Sequence, residues 1–472
     1  MVTDRALEAP LSYAAQHQSA HLEELFEFLR IPSISAQPQH REDVARAAEW
    51  LADSMTAAGL ENVRIIETDG HPLVYGDNLK AGPGAPTVLI YGHYDVQPPE
   101  PLDLWESPPF EPDVRDDYVY ARGSADDKGQ LFIHVKAIEA FVRCRNGLPV
   151  NVKVLAEGEE EVGGPSLAAF IPEQEELLSA DVAVISDTPM LAIGKPAIVY
   201  GLRGLAYMLV DVYGPKRDLH SGHYGGAVKN PINALAHIIA RLQDEGGKVL
   251  IPGFYDDVRT LDEEERKILS ELPFDEQAWA EEIGVLGPWG EPDYTLIERI
   301  GARPTLDVNG IVGGYTGEGG KTVLPAHAHA KISMRLVPDQ NPEEIADAFT
   351  RYVTEIAPPE VRVEVQTTGG GSFASISDYN TDAVRAAADA YYEVYGEKPV
   401  LMREGGSIPV VGQLQSHLGL ETVLMGFSSP DAQIHAPNER FYLPNYYQGI
   451  ETVIHFLYGY AQRFRAEHVE ES

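Results

Sequence analysis

The apolar run Val88-Leu89-Ile90 ends in Tyr91-Gly92-His93-Tyr94-Asp95, and no other stretch limits the fold as tightly. β-Favouring residues between Pro86 and Gly92 predict a short buried strand. In extended chain, residues two apart point the same way. His93 and Asp95 therefore share one direction where the strand runs out. Open α/β sheets place their chemistry at that edge. Taken alone, the pair is more simply a surface His and Asp in a turn. The rest of the chain has to decide.

The pattern recurs. A strand over 150–156 runs into Glu157-Gly158-Glu159-Glu160-Glu161, and one over 182–185 runs into Ser186-Asp187. A strand over 422–425 precedes His435. Helical spacing appears between them. Ser19 stands where it can cap a helix carrying Leu22, Leu25, Phe26 and Leu29. A helix over 41–58 sets Ala45, Ala48, Leu51 and Met55 on one face, with Gly59 to end it. Further helices are expected over 130–145, 378–395 and 445–465. Alternating strands and helices with acidic strand ends predict an α/β fold, a layered αβα domain around a central mixed, mostly parallel sheet.

From Gly201-Leu202-Arg203-Gly204 onward the character changes. Strands over 205–212, 321–337 and 361–365 alternate with helices over 230–242 and 342–356, and no strand end is acidic. A polar loop, Asp218-Leu219-His220-Ser221-Gly222, lies between. This predicts a small α+β sandwich over 202–370, inserted into a discontinuous first domain of 1–201 and 371–472. The tri-glycine Gly369-Gly370-Gly371 marks the return. The charged segment 246–301 carries a helix over 261–269 and no evident chemistry.

A chain of 472 residues is long enough for two or three domains. Its formal net charge of −37 argues against nucleic-acid phosphate and anionic membrane as partners. The single cysteine, Cys144, allows no internal disulfide and is expected to be a buried inert thiol. Met1 to Pro10 has no apolar core of a secretory signal, and no apolar run approaches the ~20 residues needed to span a bilayer. The expected location is the cytoplasm.

Five places thus offer metal-competent side chains: His93, Asp126, the Glu159–Glu161 run, Asp187 and His435. Each has a plainer reading. Asp126 or Asp127 can cap the following helix, three glutamates can be a solvated run, Asp187 can cap a turn, and His435 can be an ordinary loop residue. Their coincidence at strand ends favours chemistry. Two histidines with several carboxylates and no thiolate suit a hydrolytic zinc, manganese or cobalt site. The carboxylates exceed the needs of one tetrahedral ion, whereas a two-metal site with one bridging carboxylate absorbs them. A free neighbouring glutamate would then be the general base for the bridging water.

The motifs Gly92-His93-Tyr94-Asp95-Val96-Gln97-Pro98, Gly123-x-x-Asp126-Asp127-Lys128-Gly129, Glu160-Glu161-Val162-Gly163, Ser186-Asp187 and His435-Ala436-Pro437-Asn438-Glu439 resemble those of metallopeptidase family 20. The match is nearest to its cytosolic dipeptidase and carnosinase branch. The resemblance implies two divalent ions, zinc first with manganese or cobalt as alternatives. His93, Asp126 and Asp187 would hold one; Asp126, Glu161 and His435 would hold the other. Asp95 would orient His93, and Glu160 would be the general base, with Glu159/Glu160 as the competing register. A cis peptide at Asp126–Asp127 is implied as well.

The same resemblance makes the inserted domain a ferredoxin-like lid and dimerisation domain. His220 would reach a partner subunit's site and stabilise the oxyanion. Thr322, Arg335, Gly406 and Ser407 would bind the substrate, Arg335 as a fork on its carboxylate. The implied activity is hydrolysis of dipeptides or short peptides with a free C-terminal carboxylate, by a homodimer. An N-acyl-amino-acid deacylase is the alternative, and a non-catalytic binding homologue the third.

Overall fold

The computed structural model describes residues 5–144, 147–368 and 371–470. Arg145, Gly369 and Gly370, on which expectations fell, lie outside them. The chain forms two compact units. Met1–Tyr200, Ser377–Leu401 and Gln413–Ser472 make the first; Gly201–Ile376 and Met402–Gly412 make the second. The stretch Met402–Gly412 thus groups with the second unit, although the expected insertion ended at 370.

The first unit is built on a twisted sheet. Its strands lie in the order Glu61–Ile66, Leu73–Asn78, Asn151–Glu157, Thr87–His93, Val182–Ile185, Thr422–Leu424 and Ala197–Leu202. The four from Asn151–Glu157 to Thr422–Leu424 run parallel, and antiparallel strands flank them. The register sets His93 beside Glu157, and Tyr91 beside Ile185. The carboxyl ends of the parallel strands therefore finish side by side. Both faces of this centre are covered. Val88 and Ile90 join the main apolar core, while Leu89 and Tyr91 on the opposite face are equally buried. Parallel strands buried on both faces read as continuous apolar runs, which is why this strand was visible in the sequence.

Helix Lys128–Arg143 is buried from Lys128 through Phe141, not along one face. Its Gln130 accepts the N–H groups of Phe427 and Ser428 and donates to Ala125 O. Helix Arg41–Ala57 buries Val44, Ala47, Ala48, Leu51 and Met55; Ala45, expected on that face, is exposed. Gly59 follows with φ +95°, and a Cβ there would stand 2.5 Å from Val142 Cγ1. Ser19 does not cap a helix. Helix Gln18–Leu29 follows helix Arg5–Gln16 after His17 alone, so Ser19 already lies inside it. The helix expected from 378 begins at Asp382, because Thr381 accepts the Val384 N–H as its cap. Cys144 is half-buried rather than buried.

In the second unit, strands Thr305–Gly313, His327–Leu336, Gly204–Tyr213 and Arg362–Thr367 form an antiparallel sheet in that order. Helices Pro231–Ile239 and Pro342–Ile356 pack with it around Met208, Val210, Ala330 and Ile332. The strand expected over 321–337 is two. Pro325 cannot donate to a ladder, and the chain breaks between Val323–Leu324 and His327–Leu336. In 246–301, Asp262 caps helix Glu263–Ser270, and helices Glu276–Ile283 and Leu296–Ala302 follow.

One buried histidine of the first unit gives the fold a pH dependence. His134 donates from Nε2 to Ser186 Oγ (2.7 Å), and its buried Nδ1 has no partner. Burial lowers its pKa from 6.5 to about 3. Below pH 6.5 the unfolded chain binds a proton that the folded chain refuses, so stability falls as pH drops from 6.5 toward 3. Between pH 7.5 and 5 this costs about 2 kcal/mol. Unfolding of His134→Gln, compared with the parent at both pH values, is expected to lose about that much less over the interval. Identical pH dependence in the two proteins would contradict the assignment.

Candidate metal centre

The parallel strand ends, with two loops beside them, gather every metal-competent residue singled out in the first unit. Two three-residue groups result: His93, Asp126 and Asp187; and Asp126, Glu161 and His435. Asp126 belongs to both. Its Oδ1 lies 3.0 Å from His93 Nε2, and its Oδ2 lies 2.9 Å from His435 Nε2. His93 Nε2 is 3.8 Å from Asp187 Oδ2, and His435 Nε2 is 3.2 Å from Glu161 Oε2. One carboxylate thus presents an oxygen to each of two imidazoles, and each imidazole meets a further carboxylate. Such a donor set could hold two ions that share one carboxylate. The peptide between Asp126 and Asp127 is cis.

The carboxylates are tuned by burial and by each other. Burial, then the Asp126 charge, pushes Asp187 up to about 7. Burial also raises Glu157 to about 8 and holds Glu160 well above the carboxylate range. Asp126 moves the other way: burial would raise it, but hydrogen bonds from His435 and His93 pull it down. Hydrogen bonds to Asp126 and Glu161 raise His435 to about 10. Groups so displaced, clustered at one sheet edge, mark a functional site on physical grounds.

The three adjacent glutamates have different partners. Glu159 accepts the N–H groups of His71 (2.8 Å) and Ser166 (3.1 Å), so it is committed to holding backbone. Glu161 enters the second group, and its carboxylate also accepts from Gln97 N and Nε2. Glu160 joins neither group. Asp95 engages both His93 and the glutamate turn. His93 Nδ1 lies 3.1 Å from Asp95 O and 3.4 Å from its Oδ1. The two carboxylate oxygens accept the N–H groups of Glu160 and Glu161, both at 3.2 Å. Asp95 therefore ties the strand end carrying His93 to the glutamate turn.

Three residues near the centre carry roles that sequence reasoning missed, although all lie inside the quoted motifs. Glu439, fully buried, accepts from Gly123 N, Ala125 N, Asp126 N and Arg122. It clamps the turn that presents Asp126. Asn438 accepts from Glu106 N and donates to Leu104 O, which fastens the chain from Leu104 to Glu106. Lys128 donates to Phe28 O in the last turn of helix Gln18–Leu29 and to Ile31 O just past its end. Neither Asp126 nor Asp127 caps the next helix; Asp127 accepts the His93 N–H instead.

The second unit collects its own predicted residues in two places. A two-stranded antiparallel sheet pairs Leu219 with Leu324 and His220 with Val323. There Ser221 N donates to Thr322 O (3.0 Å), so His220 and Thr322 are neighbours. His220 Nδ1 accepts the Gly222 N–H at 3.0 Å, which leaves Nε2 to carry the proton of the neutral ring. Elsewhere in that unit, Arg335 donates to Ser407 Oγ (2.9 Å), and Ser407 donates to Arg203 O. The backbone donors expected for a substrate differ from expectation: Gly405 N donates to Glu404 Oε1, and Gly406 N also faces that carboxylate.

Known proteins resemble this chain over most of its length. The family described as peptidase family M20/M25/M40 matches residues 89–459. A Cys-Gly metallodipeptidase of Candida albicans is 32% identical over 93% of this chain and 94% of its own. A Beta-Ala-His dipeptidase of Homo sapiens is 30% identical over 97% of this chain and 93% of its own. Among solved structures, an M20 family metallo-carboxypeptidase from Sulfolobus solfataricus matches with a TM-score of 0.86 and 34% identity, covering 94% of this chain and 99% of that one. From motif order, strand-end geometry and this full-length similarity, the chain belongs to peptidase family M20/M25/M40, alongside its dipeptidases.

Proposed function

We propose that the protein hydrolyses dipeptides and other short peptides with a free C-terminal carboxylate, using two divalent ions. The observation that carries this reading is Asp126, whose two oxygens each face a different imidazole. His93, Asp126 and Asp187 would hold one ion; Asp126, Glu161 and His435 the other. A set of imidazoles and carboxylates without thiolate fits zinc, with manganese or cobalt as alternatives. When bound, such ions polarise a substrate carbonyl and lower the pKa of water. Glu160, outside both ligand groups and with a raised pKa, takes the proton from the attacking water and passes it to the leaving amine. Asp95 positions both partners of that step through the His93 ring and the Glu160 N–H.

The second unit, which holds the insertion expected over 202–370, serves as lid and dimerisation domain. His220 is exposed, with its Nε2 proton free to donate, as suits a residue that stabilises the oxyanion in a partner subunit's site. Thr322 lies beside it. Arg335, steadied by Ser407, offers a guanidinium fork to the substrate carboxylate. That carboxylate takes the Gly406 N–H by displacing Glu404. The named activities of the relatives favour dipeptides over N-acyl amino acids. A reducing cytoplasm is the proposed compartment, since Cys144 alone supports no disulfide framework. No helix among the described residues is long and apolar enough to cross a membrane.

The defining experiment is a panel of dipeptides, N-acetyl and N-succinyl amino acids assayed with one defined metal. Cleavage of the acyl compounds alone rejects the dipeptidase reading. Glu160→Gln is expected to keep its metal content and lose about 10²–10⁴-fold in kcat; retained turnover would falsify the base assignment. Asp95→Asn is expected to weaken divalent-ion uptake by the stripped protein about 10–100-fold, and unchanged affinity speaks against a positioning role. Subunit exchange tests His220. Mixing Glu160→Ala with His220→Ala creates one intact site per mixed dimer if His220 acts across subunits, so activity returns. No recovery on mixing shows that it acts within its own chain.

A further inference from the structure

The open face of the second unit's sheet carries a cluster that the catalytic reading does not use. Strand Gly204–Tyr213 alternates buried and half-buried residues, and its half-buried face bears Asp211 and Tyr213. Strand His327–Leu336 alternates in the same way, and His327 and His329, two apart, share that face. The register pairs His329 with Asp211 and His327 with Tyr213. One ligand atom from each of Asp211, His327 and His329 lies within 4.8 Å of the others.

The arrangement is braced. The His327 ring stacks on Tyr213 with centroids 4.7 Å apart and planes at 26°. Arg362 lies over the same Tyr213 ring at 4.1 Å and pairs with Glu364, which stands opposite Asp211 on the next strand. His327 Nε2 is 2.7 Å from Asp211 Oδ1. A plain hydrogen-bonded pair needs only one histidine. Here a second imidazole stands beside it, both rings set by regular strand geometry, with a carboxylate directly across.

We propose that Asp211, His327 and His329 form a third metal site, separate from the catalytic centre, for a divalent transition-metal ion. Two imidazoles and one carboxylate on one face leave the remaining positions to water, which suits zinc, nickel, cobalt or iron(II) and disfavours calcium and magnesium, whose ligands are oxygens. At metal–ligand bonds of about 2.0–2.2 Å the donors close up by small side-chain rotations. The ion ties strand Gly204–Tyr213 to strand His327–Leu336.

Equilibrium dialysis against Zn²⁺, with bound metal counted per chain, tests the site. The full-length parent is expected to retain one ion more than His327→Gln/His329→Gln at the same free metal, while peptide hydrolysis is equal in the two. His329→Gln alone is expected to weaken that last ion at least tenfold. Equal metal content in parent and double variant overturns the site. A second measurement needs no variant. Added Zn²⁺ is expected to protect His327 and His329 of the parent from acylation by diethyl pyrocarbonate, read by peptide mass spectrometry. Modification of both at an unchanged rate overturns the proposal.

Discussion

The centre depends on one buried carboxylate that belongs to neither metal group. Glu439 receives three backbone N–H groups and the Arg122 guanidinium, and so fixes the turn from Gly123 to Asp126. Without it, a turn carrying the shared ligand has no reason to hold one conformation, since Asp127 does not cap the next helix. Asp95 repeats the device on the other side, with both oxygens engaged by the Glu160 and Glu161 N–H groups. A buried carboxylate is costly unless charge-assisted hydrogen bonds satisfy it. Here each one converts that cost into a fixed direction for a reactive side chain.

Electrostatics gives the same picture from another side. Asp126, Asp187, Glu160, Glu161 and Glu157 crowd the ends of neighbouring strands, and burial drives Asp187 and Glu157 toward neutrality. An apolar interior does not tolerate so many negative charges together. The two ions proposed above would offset them where imidazoles already face the carboxylates. The net charge of −37 is a separate matter, since most acidic groups lie outside this cluster.

Much of this was legible in the sequence because parallel strands buried on both faces leave unbroken apolar runs, and the residues just past such a run sit at the sheet edge. His93 and Asp187 were singled out that way, whereas Asp126 stood in a glycine-rich turn before a helix and His435 in a loop well past its strand. The glutamate register was harder. Three adjacent carboxylates past a strand end leave in three directions, and only the backbone that Glu159 captures, at His71 and Ser166, separates it from its neighbours. Helix Arg41–Ala57 shows a similar limit. Its alanines fit a face through Ala45 or one through Ala47, and packing chose the latter. Glu439 was invisible as a clamp because its partners are backbone groups that no residue pattern encodes.

The clamp also spans the chain. Asp126 and Glu439 are separated by 313 positions, and His435 comes from the same late segment. A ribosome that has made the first three hundred residues has produced most of the ligands and none of the grip that aligns Asp126. For a peptidase this ordering matters. On the centre proposed above, hydrolytic competence would wait until the segment carrying His435 and Glu439 folds back onto the turn at Asp126.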